Sequence, residues 1–96
     1  MDGLTITRHD QGGSGEYQAH LDGSDHTGRL TYVRRGDTLV AEHTLVPSEI
    51  GGRGIAAKLV EAMIADARRE GLTIEPQCSY VAVAFKRHPE WADLQA

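Results

Sequence analysis

The chain has few of the residues that hold very small proteins together. Its 96 residues include one cysteine, three prolines and five aromatic side chains. The single cysteine, Cys78, leaves no partner for a disulfide within the chain, which excludes a disulfide-stapled fold and favours a reducing compartment. A chain of this length has room for one hydrophobic core, so we expect one domain over residues 1–96.

Basic charge and long apolar runs are also scarce. Ten Lys and Arg residues against fourteen Asp and Glu residues give a net charge of −4. This balance argues against nucleic-acid binding as the main function, because phosphate contacts need a basic field. Charges interrupt each apolar segment, and the residues after Met1 lack the basic start and apolar run of a signal peptide. We therefore expect a cytoplasmic protein with no membrane partner.

Glycine, in contrast, is abundant, and it separates runs that alternate with period two. The chain contains eleven glycines. Alternating apolar residues occupy four successive stretches of the first half: Leu4 and Ile6; Tyr17, Ala19 and Leu21; Leu30 and Tyr32; and Thr38 to Val46. The run Gly12-Gly13-Ser14-Gly15 predicts a hairpin loop, and Arg35-Gly36-Asp37 predicts a tight turn. The pattern is that of an antiparallel meander of four strands.

The second half has helical periodicity. From about Gly52, one apolar row follows every fourth residue: Ile55, Leu59, Met63 and Ala67. This spacing predicts an amphipathic helix of about four turns. Gly71 follows two basic residues, as is typical of a helix C-terminus.

A short strand and a second helix are predicted after Gly71. Leu72 and Ile74 favour a strand that Pro76 ends, and a helix with Tyr80 and Phe85 as core anchors follows until Pro89. Trp91 and Leu94 are expected to pack the tail onto the core. The predicted fold class is α+β (an α/β sandwich): a mainly antiparallel sheet, formed by the four-strand meander plus a later short strand, with one long and one short helix.

The segment between the fourth strand and the long helix carries the clearest chemical signal. It consists of Gly51, Gly52, Arg53, Gly54, Ile55 and Ala56. Backbone amides free of side chains, next to a helix N-terminus, form a binding site for phosphate. A tight strand-to-helix turn explains the glycines equally well. The dinucleotide-binding fingerprint and the P-loop are disfavoured, because the preceding strand closes an antiparallel meander and no Gly-Lys-Ser/Thr ending is present.

With this order of elements, the sequence resembles the Gcn5-related N-acetyltransferase fold. The loop motif of that superfamily is Arg/Gln-x-x-Gly-x-Gly/Ala. Gly54 and Ala56 match it, whereas Gly51 replaces the usual Arg or Gln. The resemblance implies that residues 51–56 bind the pyrophosphate of acetyl-CoA or coenzyme A mainly through backbone amides, with Arg53 as a nearby cation.

A narrower resemblance is to the small, single-domain acetyltransferase-like proteins of the YjdJ type. It covers about residues 16–94 and rests on the glycine loop and three further segments: His43-Thr44-Leu45-Val46-Pro47, Pro76-Gln77-Cys78-Ser79-Tyr80-Val81 and His88-Pro89-Glu90-Trp91. The resemblance implies that the backbone of Leu45 and Val46 pairs with the pantetheine arm. The thioester would then point into the splay between the fourth strand and the strand that ends at Glu75.

Cys78 has two interpretations. A lone cysteine after a short strand is often a small buried filler. Its position just before a predicted helix favours a reactive thiol, because a helix N-terminus lowers a thiol pKa. The resemblance places it beside the thioester, where it would accept the acetyl group or protonate the departing coenzyme A thiolate.

His43 is the candidate base. In a strand from Thr38 to Val46, simple alternation puts it on the face of Leu39, Ala41 and Leu45, where it could be a core histidine with satisfied hydrogen bonds. The family arrangement suggests a place across the splay from Cys78, to activate the thiol or take a proton from an amine. Glu42, predicted on the other face, is a second candidate base or an ordinary solvent-facing carboxylate. The other histidines lack zinc-site spacing, so no metal site is predicted.

The function implied is transfer of an acetyl group from acetyl-CoA to an amine, either directly or through Cys78. The alternatives are a non-catalytic module that binds coenzyme A or senses acyl groups, and a small interaction domain without a ligand. The short chain leaves the acceptor side open. The acceptor could be a small amine, a protein side chain or a molecule held at a surface shared with a second subunit, which would make the protein a homo-oligomer.

Overall fold

A twisted sheet of five strands forms the centre of the molecule. In the computed structural model, which describes residues 3–96, the strands are β1 (Leu4–Gln11), β2 (Ser14–Leu21), β3 (Thr27–Arg35), β4 (Thr38–Leu45) and β5 (Thr73–Pro76). They lie in the order β1-β2-β3-β4-β5, with β5 parallel to β4 and the other pairs antiparallel. The predicted meander and the later short strand are confirmed. Met1 and Asp2, the first residues of the segment where no signal peptide is expected, lie outside the described residues.

Two α-helices and two 3₁₀ turns follow the meander. Helix α1 spans Ile55–Glu70 and helix α2 spans Ser79–Arg87, while the 3₁₀ turns cover Ser48–Ile50 and Pro89–Leu94. Helix α1 ends at Gly71, whose left-handed φ of 70° is typical of a glycine C-cap. The α+β class with one long and one short helix is therefore confirmed.

The core lies between the helices and one face of the sheet, which we call the helix face. The predicted α1 row of Ile55, Leu59, Met63 and Ala67 is buried against sheet residues such as Leu30. Val81 and Phe85 of α2 join the same core, as do Trp91 and Leu94 of the tail. Gly28 lets α1 approach closely, because an added Cβ would lie 3.1 Å from Ile55 Cγ2. Along each strand, the residues between those that face the helices point to the other side of the sheet, which we call the open face.

A β-bulge changes which face the end of β4 presents. Tyr32 of β3 pairs with Ala41, but its neighbour Thr31 pairs with His43, so Glu42 is an extra residue. His43 therefore shares the open face with Thr31, and Thr44 points to the helix face. The prediction that His43 lies on the face of Ala41 is wrong, because one inserted residue reverses the alternation.

Strand β4 continues past the end of β5. Their pairing stops at Ala41 and Pro76, whereas β4 runs on to Leu45. The backbone amides of Gln77 and Cys78 both donate to the Ala41 carbonyl, at 3.0 and 2.9 Å, as the chain turns into α2. Beyond Ala41, strand β4 runs beside the start of α2 and no longer beside β5, and we call the region between residues 42–45 and the start of α2 the β4–α2 gap. It lies where the family resemblance implies a splay between the two strands.

An ion-pair cluster joins the edge strand β1 to α1. Arg8 Nη1 lies 3.2 Å from Asp66 Oδ2 and 2.6 Å from Glu70 Oε2. The hydroxyl of Tyr17 donates to the same Asp66 oxygen at 2.7 Å. These contacts hold the far side of the sheet against the helix, away from the gap.

Candidate functional site

The glycine loop forms an exposed turn at the N-terminus of α1. Gly52 and Gly54 have φ values of 73° and 74°, a left-handed conformation that residues with a Cβ rarely adopt. An added Cβ at either position would meet no atom within 4 Å. The glycines therefore leave open space above the loop backbone. Gly51 is extended, and Arg53 is exposed beside the loop.

The first turn of α1 has free backbone donors. Its N-cap is Gly54, and neither a side-chain cap nor an acidic side chain is present in that turn. Within residues 3–96, the amides of Ile55, Ala56 and Ala57 donate no hydrogen bond to another protein group, whereas Lys58 N donates to Gly54 O at 3.2 Å. Free amides and the positive end of the helix dipole together form a site for an anion. The loop thus has free backbone donors that an anionic group could use.

Cys78 lies on the helix-face side of the β4–α2 gap. It is the N-cap residue of α2, and its Sγ lies 3.4 Å from the Oγ1 of Thr44 on the facing strand. Burial by itself raises the pKa of the Cys78 thiol, but hydrogen bonds from the Thr44 hydroxyl and from the amides of Val81, Tyr80 and Thr44 outweigh it. The net result is a lowered thiol pKa. Such a sulfur is more readily a thiolate.

The structure does not bring His43 to Cys78. His43 is exposed on the open face beside Thr31, and Glu42 lines a polar groove on that same face. The residue that does contact Cys78, Thr44, was missed by sequence reasoning. Simple alternation assigns Thr44 to the other face from Ala41, and no sequence feature marks the bulge that reverses this.

The comparison with known families agrees with this geometry. A family model described as GCN5-related N-acetyl-transferase matches residues 16–94. The chain belongs to the GCN5-related N-acetyltransferase family. The match covers the meander from β2 onwards, the glycine loop, the β4–α2 gap and both helices. The narrower YjdJ-type assignment is compatible with it and stays a prediction.

Membership of the acetyltransferase family gives the general activity. It supports acyltransferase activity, with acetyl transfer as the general reaction. The family generally uses acetyl-CoA as the acyl donor and an amine as the acceptor. Within residues 3–96, no helix is long and apolar enough to cross a membrane. In the same range, no group of three or more His, Cys, Asp or Glu side chains is placed to hold a metal ion.

The end of β4 supplies a free strand edge to this acetyltransferase-family site. Leu45 pairs with Arg29 of β3 and lies beyond the last residue that β5 covers. Its side chain is 64% exposed on the open face, and the adjacent Val46 packs partly against the core. Backbone groups on the gap side of this segment face the opening rather than a neighbouring strand.

A groove of about 130 Å³ runs between α1 and α2, starting beside the first turn of α1. Its lining includes Ala57, Val60, Tyr80, Val83, Arg87 and Trp91. Tyr80 is 41% exposed, so the prediction that it is a core anchor is wrong, whereas Phe85 is buried as predicted. Tyr80 lies in the first turn of α2, where its side chain faces the groove and not the sheet. Apolar side chains form most of the groove wall, and Glu61, Arg87 and His88 add one acidic and two basic side chains.

Proposed function

We propose that the protein transfers the acetyl group of acetyl-CoA to an amine at the β4–α2 gap. The observation that carries this proposal is the position of three features along one edge: the uncapped N-terminus of α1, the free end of β4, and a thiol of lowered pKa at Cys78. Each feature suits a different part of an acyl-coenzyme A thioester, namely an anion, an amide-containing chain and a sulfur.

The glycine loop would hold the pyrophosphate. Residues 51–56 are the candidates, with the amides of Ile55 and Ala56 as donors and Arg53 as a flanking cation. The absence of a Cβ at Gly52 and Gly54 allows phosphate oxygens to reach the backbone. Replacement of the usual Arg or Gln by Gly51 removes one side-chain donor but no backbone amide.

The free edge of β4 and the α1–α2 groove would hold the rest of coenzyme A. The backbone of Leu45 and Val46 offers strand-type hydrogen bonds to the pantetheine amides. Val83 and Tyr80 give the groove apolar surface for the adenosine, and Arg87 on its rim gives a charge for a phosphate. When bound, acetyl-CoA supplies the activated acyl group.

In the direct mechanism, the amine attacks the thioester carbonyl from the open face, where His43 is exposed and can take the ammonium proton. Cys78, on the helix-face side, protonates the departing thiolate. In the covalent mechanism, Cys78 first accepts the acetyl group and the amine then removes it. His43 acts on the amine in both, because the sheet separates its side chain from that of Cys78.

Calorimetry with coenzyme A tests the binding part of the proposal. Gly52→Val places a branched side chain over the loop, and we expect at least about a tenfold loss of affinity. Gly12→Val is the matched control, because Gly12 has a φ of 66° in the β1–β2 turn, at the other end of the sheet, with no atom within 4 Å of an added Cβ. Equal affinity in the two variants would contradict the assignment of the loop, and no binding by the unaltered protein would refute the proposal.

A further inference from the structure

The Thr44 hydroxyl and the Cys78 sulfur form a pair across the β4–α2 gap. Their separation of 3.4 Å is within hydrogen-bond range for sulfur. Within residues 3–96, Thr44 Oγ1 makes no other hydrogen bond. The hydroxyl is therefore free to rotate, accepting from a thiol in one orientation and donating to a thiolate in the other.

Backbone contacts fix both partners. The Cys78 amide donates to Ala41 O at 2.9 Å, and the Cys78 carbonyl accepts from the Ala82 amide at 2.9 Å in the first turn of α2. Thr44 is paired with Leu30 of β3, after the bulge at Glu42 has turned it to the helix face. The bulge and the start of α2 thus determine the backbone positions of both residues.

The groups that form hydrogen bonds with the Cys78 sulfur are uncharged. Its hydrogen-bond neighbours are Thr44 of β4 and the first-turn amides of Tyr80 and Val81 of α2. The titratable residues of the adjoining strands, Glu42 and His43 of β4 and Glu75 of β5, lie on the open face. Lys86 and Arg87 belong to the last turn of α2, away from its capping residue. Hydrogen bonds, not a counter-ion, therefore stabilise a thiolate here.

We propose that Thr44 is a positioning residue that holds the Cys78 sulfur at the gap and stabilises its thiolate. The proposal rests on the proposed function for the assignment of Cys78 to acetyl transfer. An Oγ–H···S⁻ hydrogen bond is charge-assisted and stronger than its neutral counterpart, so Thr44 favours the ionised sulfur over the thiol.

The covalent route has two steps. Cys78 loses its proton to water, its thiolate forms a bond to the acetyl carbon, and the bond between that carbon and the coenzyme A sulfur breaks with the electron pair on the departing sulfur. The amine nitrogen next bonds to the carbon, the bond to Cys78 breaks, and the thiolate returns to Thr44. The ammonium proton goes to His43, and Thr44 keeps its own proton throughout.

The test is the rate of Cys78 alkylation by iodoacetamide as a function of pH, measured without coenzyme A. Thr44→Val removes the hydroxyl at nearly constant volume, and we expect the profile to move to higher pH with a roughly three- to tenfold slower rate at pH 7. Thr44→Ser retains the hydroxyl and should restore the original profile. Thr31→Val is the matched control, since Thr31 lies on the open face of the neighbouring strand and Thr31 Oγ1 has no partner within residues 3–96.

An unchanged profile in Thr44→Val, or an equal shift in Thr31→Val, would overturn the proposal. Thermal unfolding of each variant separates a lost hydrogen bond from a lost fold, and rescue by serine does so independently. Failure of the proposed function is distinguishable: a shifted alkylation profile in a protein that never binds coenzyme A would leave the pair intact and refute only the acetyl transfer.

Discussion

His43 and Cys78 lie on opposite faces of the sheet, although both come from segments that border the β4–α2 gap. The bulge at Glu42 separates them. The thiol of Cys78 therefore lies on the helix-face side of the gap and the imidazole of His43 on the open-face side. We expect the two groups to act on different parts of the reaction.

This division predicts different effects for two measurements on a His43→Gln variant. We expect the alkylation rate of Cys78 to be unchanged, because His43 makes no contact with the sulfur. Acetyl transfer to an amine should fall by about 100-fold or more, the usual effect of removing a general base. The measurements are iodoacetamide kinetics and release of free coenzyme A. A slower alkylation with intact transfer would contradict the division.

The α1–α2 groove predicts a difference between two neighbouring basic residues. Arg87 lines the groove, whereas Lys86 is exposed outside it. Arg87→Ala should weaken coenzyme A binding by roughly two- to fivefold, as expected for an exposed ion pair. The Lys86→Ala control should leave it unchanged. Calorimetry at two salt concentrations measures both, and a larger loss in Lys86→Ala would show that the groove is not the adenosine site.

Gly15 is required by a close approach within the sheet. An added Cβ would lie 2.5 Å from the Tyr32 hydroxyl and 2.6 Å from the His9 carbonyl oxygen. Gly15→Ala should therefore cost about 1–3 kcal/mol in unfolding free energy. Gly13→Ala is the control, because a Cβ at Gly13 meets nothing within 4 Å. Urea unfolding of both variants measures the difference, and equal stability would show that the sheet relaxes around the new methyl group.

The cluster at Asp66 predicts acid sensitivity. Burial by itself raises the pKa of Asp66, but hydrogen bonds from Tyr17 and Arg69 and the charges of Arg69 and Arg8 lower it overall. The unfolded chain then binds this proton first, so the stabilisation is complete above the unfolded pKa of about 3.9 and is lost as the pH falls through the folded pKa.

The measurement is unfolding free energy between pH 6 and pH 2, for which Asp66→Asn should show a shallower decrease than the unaltered protein. Asp25→Asn, at an exposed turn residue, serves as the control. An equally steep decrease in Asp66→Asn would show that other carboxylates govern acid unfolding.

The elements were predictable because local patterns determine them. Period-two alternation identified the four strands, and the row from Ile55 to Ala67 identified α1. Turn residues marked the connections, except that the Gly12-Gly13-Ser14-Gly15 loop is only a Gly12-Gly13 turn, with Ser14 and Gly15 already in β2. Position 15 is a glycine because the side chain of Tyr32, its partner on β3, occupies the space that a Cβ would need. The sequence by itself does not show this contact.

The sequence was sufficient to propose the loop and Cys78 as site residues, but the face that it assigned to His43 was wrong. A bulge is decided by how two strands fit together, so alternation counted along β4 alone gives the wrong face from His43 onwards. For the same reason, alternation placed Thr44 on the wrong face, and its contact with Cys78 was not predicted. The prediction that Tyr80 is a core anchor was wrong for a related reason. Helical periodicity shows which residues share one face of a helix, but it does not show whether another element covers that face.

Acetyl transfer itself is the most direct test of the central claim. The protein is incubated with acetyl-CoA and a panel of primary amines, and free coenzyme A and acetylated amine are quantified by mass spectrometry. We expect equal amounts of both products, loss of both in Gly52→Val, and their retention in Gly12→Val. Binding of coenzyme A without any acetylated amine across the panel would contradict it and would identify a non-catalytic coenzyme A-binding module.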